Sequence, residues 1–417
     1  MKTTAPIDEP ESTQAGCWRS CSVDGEICRS FEATSPESVS SSQPATVRER
    51  TREDPCPPAI GAKDESAAFE VPPKDIGIDA LTQIICCPRC HSRLARRESL
   101  QPPIVCRNAE CEYSRQGFLE VFGQPVLVDF DSSILSRDEF LRRKGESYLS
   151  RDENRSKAMT RAFDFLFGTN YVARACCLKF LAQLKRDSKR PRVLVIGGGA
   201  RGSGAEALYN DNSIDLVGTD IYASFNTRIV ADGHQLPFID GSFDGVWIQA
   251  VLEHVLAPPI VVAEIFRVLR PEGLVYADTP FMQQVHENAY DFTRYTVSGH
   301  RWLFRNFALL DAGASSEGAG SALRWSVQYL VRSITGSHRL GRAVSLLFFW
   351  TRFLDRVGKR RPNADAASGV YFLGRKATAP IRPRDMISFY EQQAFSPSER
   401  ATEAPVPAPI GGRRPVE

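Results

Sequence analysis

The sequence predicts an α/β fold with a doubly wound parallel sheet, and three observations support this prediction. Short apolar strands alternate with helical segments from Val193 onward. A glycine-rich turn directly follows the first of these strands in "VLVIGGGARGSG", and the acidic residue Asp220 ends the second strand in "IDLVGTD". Strands that alternate with helices form parallel sheets, and such sheets bind ligands at the carboxyl ends of the strands.

The other elements of this predicted domain, residues 191–378, follow in order. Two strands are predicted in "TRIVADG" and "FDGVWIQA", and apolar residues recur at helical spacing in "VVAEIFRVLR". A fifth strand lies in "GLVYADTP". The segment "SGVYFLGRK" is predicted to be the last strand of the sheet.

Length and composition restrict the class of protein. The chain has 417 residues and a formal net charge of +2, and this near-neutral balance disfavours nucleic acid as a partner. No segment approaches the roughly 20 apolar residues of a membrane-spanning helix, and the polar start "MKTTAPIDEP" has no signal-peptide core. We therefore expect a cytoplasmic protein. Its eleven cysteines favour a metal site over a disulfide framework.

Composition also separates the remaining segments. Residues 1–75 are rich in Ser, Thr, Pro and Glu and are predicted to be disordered, as is the Pro- and Arg-rich tail, residues 379–417. Residues 131–190 are predicted to form a helical linker. Cys176 and Cys177 in this linker are interpreted as small core residues.

Residues 76–130 carry a cysteine pattern typical of a zinc ribbon. The pairs Cys87-x2-Cys90 and Cys106-x4-Cys111 are separated by fifteen residues. Four thiolates on two short turns can surround one Zn²⁺ ion tetrahedrally. A site closed by four protein ligands leaves no position for substrate, so the predicted zinc ion is structural.

The glycine-rich turn predicts a site for a nucleotide-like ligand. Gly197, Gly199 and Gly202 have the G-x-G-x-x-G spacing that lets backbone approach such a ligand closely. Asp220 lies eighteen residues after Gly202 and could accept hydrogen bonds from ribose hydroxyls. Asp232, at the end of the third strand, could bind an adenine amino group. The turn alone is compatible with both a dehydrogenase and a methyltransferase.

The segments from Arg192 to Pro280 resemble class I S-adenosylmethionine-dependent methyltransferases, of the broad type that includes ubiquinone and menaquinone biosynthesis enzymes. The matching segments are, in family order, "VLVIGGGARGSG", "VGTD", "ADGHQLPF", "FDGVWIQAVLEHV" and "EIFRVLRPEGLVYADTP". The resemblance implies a Rossmann-like methyltransferase domain with S-adenosylmethionine as its cofactor. The expected methyl acceptor is an oxygen or nitrogen of a small molecule, sugar or lipid-linked glycan.

The resemblance also implies a set of cofactor-binding residues, with one departure. The family's first strand often ends in an acidic residue two positions before the first glycine, where this chain has Val195. Because that residue normally helps to hold the methionine end of the cofactor, a non-catalytic cofactor-binding scaffold stays open as an alternative. The predicted cofactor-binding residues are Gly197, Gly199, Gly202, Asp220, Ile221, Asp232, Gly233 and Gln249.

The cysteine unit and the following "GFLEVFGQPVLVDF" resemble the small zinc-ribbon proteins that are partners of methyltransferases acting on tRNA and translation factors. The second cysteine pair departs from the usual C-x2-C spacing by two residues. The resemblance implies a structural or activating role, here for a ribbon fused to the enzyme. Methylation of RNA or protein, with the ribbon docking the substrate, is the alternative function.

The segment "TPFMQQVHENAYDFTRYTVSGHRWLFRNF" resembles a block in methyltransferases of bacterial glycan and secondary-metabolite gene clusters. We expect it over the acceptor pocket, where His286 is the candidate general base for a hydroxyl acceptor or, alternatively, a loop-stabilising residue. Asp291 and Arg294 are expected to form a salt bridge. Glu253 and His254 are interpreted as packing and capping residues.

The segment "GRAVSLLFFWTRFLDRVGKRR" is predicted to be helical, with aromatic residues and flanking arginines. Such a helix could make a weak contact with a membrane surface. We expect it instead to pack on the core or at a dimer interface.

Overall fold

The structure is a computed structural model in which contacts divide the chain into two units, Met1–Lys63 and Asp64–Glu417. The segment predicted to be disordered, residues 1–75, lies outside the described residues. All described residues belong to the second unit. They are residues 78–97, 103–147, 170–315, 318–357 and 360–393.

Eleven strands are found in this described part of the chain. They are β1 (Leu94–Arg96), β2 (Ile104–Cys106), β3 (Glu120–Val121), β4 (Gln124–Pro125), β5 (Arg192–Ile196), β6 (Asp215–Asp220), β7 (Ile229–Val230), β8 (Phe243–Gln249), β9 (Leu269–Pro280), β10 (Phe307–Ala314) and β11 (Gly369–Lys376). The strands β1 and β2 form one antiparallel pair, and β3 and β4 form another. The other seven strands form one sheet.

The α-helices of the described residues surround these strands. They are α1 (Ile78–Thr82), α2 (Tyr113–Gln116), α3 (Arg137–Arg142), α4 (Tyr171–Asp187), α5 (Glu206–Asn210), α6 (Pro258–Val268), α7 (Val297–Leu303), α8 (Ala319–Thr335), α9 (His338–Leu346), α10 (Leu354–Val357), α11 (Arg360–Asp365) and α12 (Asp385–Gln393). Short 3-10 helices lie at Leu252–His254, Asn288–Tyr290 and Phe349–Phe353.

The seven-stranded sheet has the order β10-β11-β9-β8-β5-β6-β7. The six predicted strands of this sheet, β5 to β9 and β11, are confirmed as strands. The predicted parallel pairing holds for β5 to β9, whereas β11 is antiparallel to both β9 and β10. Strand β10 was not predicted. Most of its side chains are exposed or half-buried, so "FALLDAGA" lacks the apolar run of an interior strand.

The predicted helical linker ends in α4, which packs directly on the sheet. Phe180 and Leu184 of α4 approach β8 at Gly245, where an added Cβ atom would lie only 2.5 Å from Phe180 Cζ. Glycine is therefore what allows the helix and the strand to come this close. Cys176 and Cys177 are buried in the same apolar cluster, as predicted. The second half of the linker segment is thus a layer of the domain.

The cysteine unit packs against the end of the sheet near β7. The Cys86 amide donates to the Pro237 carbonyl at 2.9 Å, and the Leu127 amide donates to the Val230 carbonyl at 2.9 Å. Apolar residues of the cysteine unit and of the sheet form one continuous buried cluster. We infer that the two parts stabilise each other, because they share buried apolar surface.

One expectation about the C-terminal part is wrong for residues 379–393, which were predicted to belong to a disordered tail. Residues 394–417 of that tail lie outside the described residues. The tail from Ala379 includes helix α12, whose Phe389 is buried, and the Ile381 amide donates to the Arg305 carbonyl at 2.9 Å. The segment around α9 and α10 does not bury all its apolar side chains, since Leu347 is 71% exposed and Trp350 is 51% exposed. None of the helices in the described residues is long and apolar enough to cross a membrane.

Candidate functional site

The turn after β5 brings backbone to one wall of a cavity at the carboxyl ends of the parallel strands. Gly197 has φ of +73°, and a Cβ atom there would lie 2.1 Å from Val251 Cγ2. Only glycine fits this position, for both conformational and steric reasons. Gln249, at the end of β8, faces the same turn and donates from Nε2 to the Ser203 carbonyl at 3.0 Å.

Asp220 is held at the end of β6 by backbone amides. Its Oδ2 accepts a hydrogen bond from the Gly199 amide at 2.8 Å, and its Oδ1 accepts one from the Ile221 amide at 2.7 Å. The carboxylate is therefore fixed beside the glycine turn. The adjoining cavity has a volume of about 480 Å³. Of the predicted cofactor-binding residues, its lining includes Gly197, Gly202, Asp220, Ile221, Asp232, Gly233 and Gln249.

Asp232 is buried and already has several partners. Its Oδ1 accepts hydrogen bonds from the His234 amide at 2.9 Å and from the His234 ring Nδ1 at 2.6 Å, and its Oδ2 accepts one from the Ser133 hydroxyl. Burial raises the pKa of Asp232, but these hydrogen bonds outweigh it and hold the pKa below its ordinary value. An adenine amino group would therefore have to share this carboxylate with Ser133 and His234.

Val195 is 3% exposed within β5, and apolar neighbours surround it in the core. The acidic side chain that the family resemblance leads one to expect at this position is thus replaced by a packing residue. Ala250, immediately after β8, has an unusual positive φ of 53° and lines the cavity. Its amide donates to the Asp278 carbonyl at 2.9 Å, which ties the end of β8 to β9.

The loop after β9 is organised by Asp291 and Arg294, which form the expected salt bridge. Arg294 Nη2 donates to Asp291 Oδ2 at 2.8 Å, and the His286 amide donates to the same oxygen at 2.8 Å. Burial raises the pKa of Asp291, yet these bonds lower it to about 2. The salt bridge therefore fixes the backbone that carries His286.

Glu253, His254 and His286 come together beside the cavity, although the sequence interpretation treated the first two as packing and capping residues. Their potential ligand atoms all lie within 4.8 Å of one another. The rings of His254 and His286 meet edge to face at 5.3 Å, and His254 lines the cavity.

Glu253 is fully buried, and neither of its carboxylate oxygens has a hydrogen-bond partner in another described residue. Burial raises the pKa of Glu253 to about 8. In the sequence, only the adjacent residues Glu253 and His254 after a strand indicate this cluster. That pattern does not predict the proximity of His286.

The second cluster consists of the four predicted cysteines. Cys87 Sγ lies 3.8 Å from Cys111 Sγ, and Cys90 Sγ lies 3.4 Å from Cys106 Sγ. All four sulfur atoms lie within 4.8 Å of one another. Cys86, the neighbour of Cys87 in the sequence, does not belong to this group.

Comparison with known families adds a direct identification for part of the chain. Residues 194–277 match the family model described as a methyltransferase domain. The match covers this part of the chain, which lies within the seven-stranded sheet, and the Rossmann-like arrangement of β5 to β9 is the fold that the sequence resemblance implied. No curated protein matches the chain.

Several solved structures are similar to the chain. A proposed sarcosine dimethylglycine methyltransferase from Galdieria sulphuraria is 15% identical, with a TM-score of 0.34, over 58% of this chain and 97% of that chain. Phosphoethanolamine N-methyltransferase 2 from Haemonchus contortus, in complex with S-adenosyl-L-methionine, is 16% identical, with a TM-score of 0.35, over 61% of this chain and 62% of that chain.

A third similar structure is the complex between the Haloferax volcanii Trm112 methyltransferase activator and a proposed methyltransferase. It is 17% identical, with a TM-score of 0.34, over 54% of this chain and 94% of that chain. At these identities and scores, nothing about the substrate or partner of this chain follows from the three structures.

Proposed function

We propose that the protein is an S-adenosylmethionine-dependent methyltransferase acting on an oxygen or nitrogen of a small molecule, sugar or lipid-linked glycan. The observation that carries this proposal is the cavity at the carboxyl ends of the strands within the matched methyltransferase domain. This edge is where open α/β sheets bind ligands.

The residues of the cavity fit an adenosine-containing cofactor. Asp220 would accept hydrogen bonds from the ribose hydroxyls, because its carboxylate is already oriented by two amides. The turn at Gly197 and Gly202 would let backbone approach the cofactor closely, and Ile221 and Gly233 would line its base. When bound, S-adenosylmethionine would supply an electrophilic methyl group. The protein would then align the acceptor and exclude water.

Exposed apolar residues on helix α8 favour a lipid-linked methyl acceptor. The helix packs on the loop that carries His286, since Gln284 Nε2 donates to Ser326 Oγ at 3.3 Å. The same helix carries apolar side chains that are not buried, with Leu330 60% exposed and Ile334 76% exposed. These positions recur at helical spacing, so they form one stripe.

The sequence that contains this stripe is basic. Residues 318–361 contain nine Lys and Arg residues and one acidic residue. An apolar stripe with basic neighbours fits the surface of an anionic membrane, which is where a lipid-linked acceptor would be found. Sedimentation with vesicles of anionic lipid tests this contact. Leu330→Ser should weaken it more than Ile387→Ser, a change at an equally exposed residue of α12.

His286 is assigned to the acceptor side of the cavity. As a general base it would take the proton of a hydroxyl acceptor through the ring nitrogen Nε2, because Nδ1 lies 3.3 Å from the Gln284 carbonyl oxygen and 3.4 Å from Asp291 Oδ2. Glu253 and His254 lie beside His286, so the three side chains could act together.

The four clustered cysteines are proposed to bind one structural Zn²⁺ ion. Four sulfur donors fit a tetrahedral zinc site, and three of the four residues are buried. The ribbon would then stabilise the sheet domain against which it packs. The alternative, in which the ribbon docks RNA or protein, gains no support from the near-neutral charge of the chain.

Titration calorimetry with S-adenosylmethionine, followed by a turnover assay on cell extracts, tests the proposed function. Binding together with transfer of a methyl group to a small molecule or glycan supports it. Binding without turnover on any extract would favour the scaffold, for which Val195 is the sequence argument. Transfer only to RNA or protein would favour the docking alternative.

A further inference from the structure

We propose that Glu253, His254 and His286 form a binding site for one divalent transition-metal ion at the acceptor side of the cavity. The binding itself is independent of the proposed function, whereas the catalytic role assigned to the ion rests on it. The three residues come from the 3-10 helix after β8 and from the loop after β9. Both strands end at the edge of the sheet where the cavity lies.

The donor atoms are already close together. The available ligand atoms, two imidazole nitrogens and a carboxylate oxygen, lie within 4.8 Å of one another. An ion bound between them would lie ~2.1 Å from each ligand atom. Two histidines and one carboxylate leave further coordination positions open, which is typical of catalytic rather than structural metal sites.

Hydrogen bonds orient both histidine rings for this task. The Nδ1 atom of His254 lies 2.6 Å from the Tyr290 carbonyl oxygen, so Nδ1 carries the proton and donates it. The Nε2 atom of His254 then carries the lone pair of the ring and lies 3.6 Å from Glu253 Oε1. Such outer partners fix the tautomer of metal-binding histidines in known sites.

His286 has a similar arrangement. Its Nδ1 lies 3.4 Å from Asp291 Oδ2 and 3.3 Å from the Gln284 carbonyl oxygen. Arg294 Nη2 also lies 3.4 Å from Nδ1 and could only donate to it. The proposed ligand atom is Nε2, in the tautomer in which Nδ1 donates to Asp291 or to the Gln284 carbonyl oxygen. A carboxylate behind the histidine would also raise its basicity as a ligand.

Glu253 provides the second, independent observation. Its side chain is fully buried, and both carboxylate oxygens lack a hydrogen-bond partner in any other described residue. The nearby guanidinium of Arg294 is bonded to Asp291 and to the Gln283 and Gln284 carbonyls. A buried carboxylate without a hydrogen-bond partner is costly, and a cation bound between Glu253 and the histidines would offset that cost.

The donor set indicates the class of metal. Imidazole nitrogen suits first-row transition ions such as Zn²⁺ and Fe²⁺, and the carboxylate oxygen also suits Mn²⁺, whereas Mg²⁺ and Ca²⁺ prefer oxygen ligands throughout. The site also differs from the cysteine cluster, whose thiolates select zinc. One chain would therefore hold two metals in different roles.

A bound ion would restrict the methyl acceptor to a hydroxyl oxygen. A hydroxyl that coordinates a divalent ion loses its proton more readily. Because the ion would occupy Nε2 of His286, this role would replace that of a general base, and the proton would pass to solvent. The oxygen would then form a bond to the methyl carbon while the carbon–sulfur bond breaks. The electron pair of that bond stays on sulfur, which gives S-adenosylhomocysteine. A coordinated amine would lose its nucleophilic lone pair, so an amine acceptor does not fit this site.

Titration of the full-length protein with Mn²⁺, followed by electron paramagnetic resonance of the free ion, tests the site directly. Manganese binds thiolates poorly, so the zinc-loaded cysteine cluster should not contribute. We expect one Mn²⁺ per chain. Glu253→Gln and His286→Gln should each weaken binding at least tenfold. His338→Gln, at an exposed histidine of α9, is the matched control and should leave binding unchanged.

Calorimetry with S-adenosylmethionine on the same preparations separates this inference from the proposed function. Unchanged cofactor binding in the two ligand variants would show that they are folded, so that their loss of Mn²⁺ is specific. No saturable Mn²⁺ binding by the wild-type protein, or equal binding by the three variants, would overturn the metal site. Mn²⁺ binding without any cofactor binding would overturn the proposed function and leave the site standing.

Discussion

Two clusters of potential metal ligands in this molecule have similarly close ligand atoms but lie in different parts of the structure. In each, the ligand atoms lie within 4.8 Å of one another. The cysteine cluster has four sulfur donors and lies in a unit packed against the end of the sheet, away from the glycine turn. The Glu253–His254–His286 cluster has mixed donors and borders the cavity. Close ligand atoms alone therefore do not define the role of a bound ion. The number of protein ligands and the access of substrate to the ion decide whether it is structural or catalytic.

The largest expected effect is at the cysteine cluster. Cys106→Ser should reduce bound zinc from one ion per chain to none, and it should strongly destabilise the ribbon, because structural zinc contributes on the order of 10 kcal/mol to small zinc domains. Elemental analysis and thermal unfolding measure both effects. Cys86→Ser is the control, since Cys86 is buried beside the cluster but is not a member. A zinc-free, fully stable Cys106→Ser protein would contradict the structural role.

The second prediction concerns the other cluster. His286→Ala should lower kcat by ~10²–10⁴-fold and leave cofactor affinity nearly unchanged, whether His286 acts as a base or as a metal ligand. Single-turnover kinetics on the true acceptor measures this change. A rise in KM with unchanged kcat and an unchanged pH profile would instead limit His286 to ordering the loop.

The third prediction concerns the cavity that is proposed to bind the cofactor. Asp220→Ala should weaken S-adenosylmethionine binding by ~1.5–3 kcal/mol, as expected for the loss of a charge-assisted hydrogen bond. Titration calorimetry gives the value directly. Asp215→Ala, at the opposite end of β6 and paired with Arg190, is the control. Equal affinities of the two variants would mean that the cofactor lies elsewhere.

The smallest effect concerns a buried histidine outside both clusters. His300 Nε2 lies 3.1 Å from Thr279 Oγ1, its other neighbours are the rings of Tyr295 and Phe304, and burial lowers its pKa to about 3. The unfolded chain binds a proton at His300 below an ordinary pKa near 6.5, while the folded chain does not, so stability falls as pH drops from 6.5 towards 3.

His300 should lower the free energy of unfolding by about 2 kcal/mol between pH 7 and pH 5. Urea unfolding of the wild type and of His300→Gln at both pH values measures it, because other groups contribute equally to both proteins. If both proteins lose the same stability, His300 is protonated in the fold. That result would remove the contrast between a histidine that only packs and the two that are placed as ligands.

The comparison of the clusters also explains how much could be predicted from the sequence. Cys87, Cys90, Cys106 and Cys111 were recognisable because their spacing is local and repeated. The strands from β5 to β9 were recognisable for the same reason, since each apolar run is followed by its own turn. The glycine turn and Asp220 have such local signals as well.

The remaining features depend on contacts between distant segments. His286 is far from Glu253 in the sequence, and only the parallel pairing of β8 and β9 brings the loops after them together. Strand β10 has no recognisable apolar pattern because its residues are largely unburied. The position of β11 between β9 and β10 depends on strand pairing, which the local sequence does not predict. The partners of Asp232 illustrate the same limit, since Ser133 lies in a segment predicted only as a linker.

The position of β11 has a consequence for how the chain is made. Strand β9 is twelve residues long, and its outer side pairs only with β11, which in turn is the only partner of β10 within the described residues. A ribosome must therefore synthesise the chain through Lys376 before this half of the sheet can close. Until then a growing chain presents the unpaired edge of β9, together with its apolar side chains, to chaperones and to other nascent chains.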